Sequence, residues 1–201
     1  MKFSDFKSIK DVLNKYPLAV KECDFVPDVS LPLAKWVWED IQFALQMRSP
    51  IENEFFYREY FINPFMRESW KKHPSLKMWI NQKLAYRDEL TGEPDYFIAK
   101  RVQGITQDLI GNPLLAVAEA KQENFTEGWG QCLPAMIACQ KINDKPDITI
   151  YGVVATSEFW QFANLHGETF TRNIRAYTIH MPDQLFGALD YLFGECEKQA
   201  A

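Results

Sequence analysis

Near the middle of the chain three charged residues stand at the ends of apolar segments. Asp95 follows Pro94 at the head of one candidate strand, and Glu119-Ala120-Lys121 closes the next, Leu114-Leu115-Ala116-Val117-Ala118. Residues two apart in a strand share a face, so Leu115, Val117, Glu119 and Lys121 are expected on one side and Leu114, Ala116, Ala118 and Ala120 on the other. A carboxylate and an ammonium then leave a buried strand together, with Asp95 upstream of them. Carboxylate oxygens suit a hard cation such as Mg²⁺ or Mn²⁺, and a neighbouring lysine can stabilise negative charge at a reaction centre. The set fits metal-assisted hydrolysis; an ion-pair cluster of purely structural role is the alternative.

These residues need elements to position them. A helix is expected from Ile51, after Pro50, with Glu52 and Glu54 in its first turn, where the helix dipole favours acids. Glu54, Tyr57, Phe61 and Phe65 are spaced three, four and four apart, which makes one helical stripe, and Pro64 is expected to kink or end the regular helix near Ile62. A basic linker follows. Strands are then expected over Leu84–Glu89 and Asp95–Val102, joined by the turn-like Leu90-Thr91-Gly92-Glu93-Pro94, and a third over Leu114–Ala120. A helix over Glu127–Lys141 precedes strands at Ile148–Thr156, Trp160–Leu165 and Phe170–Ile179, and a closing helix runs over Pro182–Glu195. Upstream, helices are expected over Phe3–Tyr16 and Leu33–Met47, with Pro17, Pro27 and Pro32 between them.

The succession of helix, three strands, helix and strand, with Glu54, Pro94-Asp95 and Glu119-Ala120-Lys121 in that order, resembles the PD-(D/E)XK nuclease superfamily. The resemblance extends to Asn53-Glu54-Phe55-Phe56-Tyr57-Arg58-Glu59-Tyr60-Phe61-Ile62-Asn63-Pro64-Phe65, which looks like the helix opening the nuclease-like domain of type I restriction-subunit-like bacterial proteins, and to Gln131, Ile150–Thr156 and Trp160-Gln161-Phe162. It implies an α/β fold with a restriction-endonuclease-like core (α-β-β-β-α-β, a central mixed sheet flanked by helices). That core would cover residues 51–165 of a single domain, behind an N-terminal helical extension (1–50) and ahead of a C-terminal strand and helix (166–201). It implies Mg²⁺ or Mn²⁺ held by Asp95, Glu119 and the carbonyl of Ala120, with Glu54 at a second metal or on a metal-bound water. Lys121 would orient the attacking water, and Gln131 would position Lys121 or touch the nucleic-acid backbone. The implied substrate is nucleic acid, DNA first, and such enzymes often act as homodimers. Glu59 competes with Glu54 for the helix acid, and Asp108 with Asp95 for the upstream ligand. A catalytically inactive nuclease-fold module that binds nucleic acid or protein is the alternative function.

Composition limits the other classes. A chain of 201 residues that is 47% hydrophobic and 24% charged can bury a core. No apolar run approaches the roughly 20 residues of a membrane-spanning helix, and the amino-terminal residues carry no signal-peptide core, so a cytoplasmic location is expected. A net charge of −5 argues against non-specific coating of nucleic acid, although Lys71, Lys72, His73, Lys77, Lys83 and Arg87 make one positive segment. Cys23, Cys132, Cys139 and Cys196 form no close ligand pair and are expected to be buried and reduced. There is no Gly-rich phosphate loop and no nucleophile-elbow serine.

Overall fold

A computed structural model of the chain describes residues 1–104, 109–145 and 147–201; Asp108 lies outside them. The chain opens with a 3₁₀ turn (Phe3–Asp5) and α1 (Ile9–Lys15), whose cap Ser8 accepts the Asp11 N–H. The single helix expected over Phe3–Tyr16 is therefore two pieces, because a serine capping geometry at Ser8 starts a helix rather than continuing one. Next come β1 (Ala19–Glu22), which was not expected, and α2 (Lys35–Met47). A continuous helical segment follows, made of α3 (Glu54–Tyr57), a π-helical stretch (Arg58–Ile62) and α4 (Asn63–Lys72).

The regular helix is interrupted ahead of Pro64, by a stretch that closes at Ile62 where a kink or end was expected, and the chain then stays helical to Lys72. Proline has no N–H to give to the carbonyl four residues back, and the chain widens just before it, so that the Asn63 N–H bonds the Arg58 carbonyl five residues back. The helix then resumes with Pro64 in its first turn, where the missing donor costs nothing. Phe61, Ile62, Phe65 and Met66 are all buried on its inner side.

The remaining elements are β2 (Leu76–Ile80), β3 (Leu84–Tyr86), β4 (Leu90–Gly92), β5 (Tyr96–Lys100), β6 (Leu114–Ala120), α5 (Phe125–Asn143), β7 (Ile150–Ala155), β8 (Phe159–His166), β9 (Thr169–Arg172), β10 (Tyr177–Thr178) and α6 (Pro182–Ala200). Eight strands form one mixed sheet in the order β1-β9-β8-β7-β6-β5-β2, with β10 against β8. The β6–β7 and β1–β9 pairs are parallel and the rest antiparallel. Besides β6, the antiparallel neighbour of β5 is β2, within the stretch read as a basic linker, and not Leu84–Glu89. Leu76, Met78 and Ile80 alternate there with Lys77 and Trp79, and the Lys77 ammonium lies over the Trp70 and Trp79 rings, so one charge on the outer face masks a strand. Leu84–Tyr86 pairs instead with Leu90–Gly92 in a separate two-stranded ribbon.

Helices cover both faces. Val37, Ile41, Phe61, Phe65, Leu185 and Leu189 pack with Ala116, Ala118 and Ala120 on one side, and Val12, Trp129, Cys132, Leu133 and Met136 pack with Val117 and Val154 on the other. Every residue of β6 is buried, as a strand covered on both faces requires. Its alternation breaks at Leu115. The register steps from Ile98 opposite Ala116 to Ala99 opposite Leu114, and this bulge turns Leu115 towards the side of Ala116, away from Val117. Cys132, Cys139 and Cys196 are buried as expected, whereas Cys23 is exposed: it continues the line of the edge strand β1, which is exposed along its whole length, with its N–H still on the Arg172 carbonyl of β9 at 3.1 Å.

Candidate active site

The pairing of β5 with β6 sets Tyr96 opposite Ala118 and Phe97 opposite Val117. Continued by one residue, it puts Asp95 opposite Glu119, the cross-strand relation in which side chains touch. Asp95 is fixed on both oxygens: Oδ2 accepts the Ala120 N–H at 2.8 Å and Oδ1 accepts the Arg58 guanidinium Nη1 at 2.7 Å. Arg58 is the first residue of the π-helical stretch, and its guanidinium lies 4.7 Å from the centre of the Phe55 ring.

Glu119 is buried, with its carboxyl within hydrogen-bonding reach of Asp95. Burial pushes its pKa well above the usual carboxylate range, the Asp95 charge adds to that shift, and Lys121 opposes it. Lys121 leaves the end of β6, where its N–H is anchored on the Ala155 carbonyl at 2.8 Å. Its ammonium lies 3.7 Å from Glu54 Oε1. Glu54 is the first residue of α3, behind an Asn53 cap that accepts the Phe56 N–H at 3.2 Å. Burial raises the Glu54 pKa, with Lys121 acting in the opposite direction. Glu59 is exposed and makes no ion pair with these groups.

The close packing behind Lys121 depends on Gly128 in the first turn of α5. A β-carbon there would overlap the Val154 side chain and stand 3.3 Å from Lys121 Cγ. Gln131, one turn further along, donates its amide to Glu127 at 3.4 Å and is not hydrogen-bonded to Lys121. It lines, with Glu119, an open cleft of about 480 Å³ whose other walls include Phe3, Lys2, Lys83 and Glu93. The 3₁₀ turn at the amino terminus builds one wall by packing Phe3 against Gly92.

The fold thus brings Glu54, Asp95, Glu119, Ala120 and Lys121 to one end of the sheet and leaves Gln131 on the cleft wall. The sequence reading missed Arg58. Its signal was available, since it lies four residues after Glu54 on a helix and interrupts a run of aromatic residues, and side chains four apart meet on one helical face.

Among the described residues, no cluster of three or more His, Cys, Asp or Glu is arranged to hold a metal ion. A closed cage is not what Mg²⁺ needs: one or two carboxylates suffice when water and substrate phosphate complete the octahedron. Asp95 and Glu119 offer two facing carboxyls beside an open cleft, each oxygen has more than one lone pair, and the donor set fits a hard divalent cation. No helix among the described residues is long and apolar enough to cross a membrane.

No protein-family model matches the chain, and no curated protein matches it. Twelve chains of solved structures do. One is a cryo-EM structure of a DrdV–DNA complex, matched at a TM-score of 0.46 and 16% identity over 80% of this chain. This chain spans 14% of that one, and at such similarity the site stands on its own geometry.

Proposed function

We propose that the chain is a divalent-metal-dependent nuclease with a restriction-endonuclease-like core, hydrolysing phosphodiester bonds in DNA. The observation that carries this reading is the meeting of Asp95 and Glu119 across β5 and β6, with Lys121 on the same strand end and Glu54 reaching Lys121 from a helix start. The order of α4, β2, β5, β6, α5 and β7, with β2, β5 and β6 antiparallel and β7 parallel to β6, supports the fold part of the proposal. DNA is the substrate that the family resemblance implies.

Asp95, Glu119 and the Ala120 carbonyl would hold Mg²⁺ or Mn²⁺, which when bound supplies a water of lowered pKa and neutralises charge on the phosphoryl oxygens. The chain's own residues do the positioning. The Ala120 N–H holds Asp95 in place, and burial between two sheet-covering layers gives Glu119 one orientation. Lys121, sheltered with only 13% of its side chain exposed, directs its ammonium to the attacking water and to the developing charge, where a preorganised donor contributes most. Glu54 holds that ammonium at the mouth of the site. Gln131 and Lys83 line the cleft through which a nucleic-acid strand would lie.

The test is cleavage of plasmid and single-stranded DNA in Mg²⁺ or Mn²⁺ by the wild type and by Lys121→Ala. The expected result is cleavage by the wild type and a loss of about 10²–10³-fold in the variant, with Mn²⁺ binding retained. Equal cleavage by the variant removes Lys121 from the mechanism. No cleavage by the wild type, with melting unchanged between Mn²⁺ and chelator, removes the nuclease.

A second reading, a non-catalytic module that docks a partner, is favoured by the exposed Phe43, Met47, Ile51 and Phe55, which are 65%, 65%, 91% and 66% exposed. Apolar surface of this kind marks interaction sites when it is contiguous. Loss of partner binding on Phe43→Ser, Phe55→Ser in a protein without metal response would support it.

A further inference from the structure

Arg58 has a second task, and we propose that it exchanges partners: it holds Asp95 while the metal is absent and clamps a substrate phosphate once a cation takes Asp95. The proposal rests on the nuclease reading above and goes beyond it by adding a substrate-contacting residue.

The geometry points there for three reasons. First, Arg58 and Asp95 form a sheltered pair at 2.7 Å, with their side chains 18% and 10% exposed, and Asp95 is one of the two carboxyls available to a cation. A divalent cation on that carboxylate would face the guanidinium charge directly, so the two compete for it. Second, the guanidinium rests over the Phe55 ring, which is 66% exposed. A cation–π contact on a solvent-facing ring gives the released guanidinium a platform at the edge of the site. Third, a planar guanidinium matches phosphate in a two-pronged contact that lysine cannot reproduce.

The helix couples the two halves of the site. Glu54 and Arg58 are four residues apart, and each meets a group of opposite charge: Glu54 meets Lys121 at 3.7 Å and Arg58 meets Asp95 at 2.7 Å. The π-helical stretch begins at Arg58, and such wide turns recur at functional sites. A purely structural pair would tie the helix to the sheet equally well without requiring the open side towards Phe55.

The experiment compares wild type, Arg58→Gln and Arg58→Lys by Mn²⁺ titration followed by electron paramagnetic resonance, by melting in chelator, and by single-turnover cleavage of DNA. Arg58→Gln is expected to bind Mn²⁺ at least about tenfold more tightly, because a competing charge is gone, and to cleave about 10²-fold more slowly at saturating metal. Arg58→Lys is expected to keep wild-type Mn²⁺ affinity within about threefold and to cleave at least about tenfold more slowly, the charge being kept and the fork lost. A structural role alone predicts lower melting with no gain in metal affinity, and that result overturns the proposal, as does wild-type cleavage per folded molecule in Arg58→Gln. Mn²⁺ uptake by wild type with the same affinity in Arg58→Gln overturns the exchange and leaves the nuclease reading intact. No uptake by wild type or either variant overturns both.

Discussion

Replacing Glu119 with glutamine separates a metal site from a structural ion-pair cluster, because the two readings give different melting behaviour for one substitution. Glu119 is buried within hydrogen-bonding reach of Asp95, and burial first and the Asp95 charge second raise its pKa. A glutamine amide has nearly the same volume and carries an N–H that can be given to Asp95. It leaves no cavity and no unpaired charge, so metal-free stability should change by less than about 1 kcal/mol. Metal stabilisation should vanish. At a Mn²⁺ concentration one hundred times Kd, a bound cation stabilises the wild type by about 2.7 kcal/mol. For a domain of this size that is a rise in Tm of about 5–10 °C. Melting of both proteins followed by circular dichroism, in chelator and in Mn²⁺, reads both quantities. Equal melting temperatures in chelator, with the Mn²⁺ shift confined to the wild type, is the expected pattern. A Mn²⁺ shift of the same size in Glu119→Gln would refute the placement of the ion, and a fall of several kcal/mol in chelator would refute the expectation that this buried position accepts an uncharged amide.

Gly128→Ala should destabilise the fold by about 1–3 kcal/mol despite the better helix propensity of alanine, because the new methyl group overlaps Val154; it should also slow cleavage by displacing Lys121, as single-turnover assays on the folded fraction would measure. Glu197 accepts from Ser75 and lies 2.8 Å from His73 Nδ1, tying α6 to the start of β2. The Ser75 hydroxyl and then His73 hold its pKa below the ordinary 4.5. A lowered carboxyl pKa contributes stability that is present above 4.5 and is lost as pH falls through the lower, folded value. Glu197→Gln should therefore cost about 0.5–1 kcal/mol at neutral pH, discounted for exposure, and the difference from wild type should shrink below pH 4.5 in urea unfolding curves.

What could be read in advance was the tail of β6 and the head of β5. Both are short apolar runs bounded by charge, and it was the resemblance to the nuclease pattern that implied a shared site for Asp95 and Glu119. The β2 strand was hidden by Lys71, Lys72, His73 and Lys77, because composition averages over a segment while a strand needs only alternate positions to be apolar. Lys77 lies over two indole rings, so its charge is compatible with a half-covered strand. The phase of β6 at Leu115 was also illegible. Alternation assumes an unbroken ladder, and the bulge that inverts it is set by the pairing with β5, a contact between residues far apart in sequence. Pro64 signalled the break near Ile62 but not its form: its cost in a regular helix is real, and the wide turn beginning at Arg58 supplies another partner for the backbone so that the chain stays helical.

The same wide turn bears on the site. A regular helix would hold one phase from Glu54 through Phe65, whereas the inserted residue lets the first turn follow the sheet end while the later turns follow the core. Glu54 and Arg58 belong to the first phase and reach Lys121 and Asp95. Phe61, Ile62, Phe65 and Met66 belong to the second and are buried. Packing of the second half therefore anchors the first, and a side chain such as Phe65, which touches Trp160 edge to face, holds Arg58 in register without approaching the site. On this argument the exchange of Arg58 between Asp95 and a phosphate is a side-chain movement over Phe55 and not a movement of the helix, since moving the helix would expose four large apolar residues at about 1.5–3 kcal/mol each.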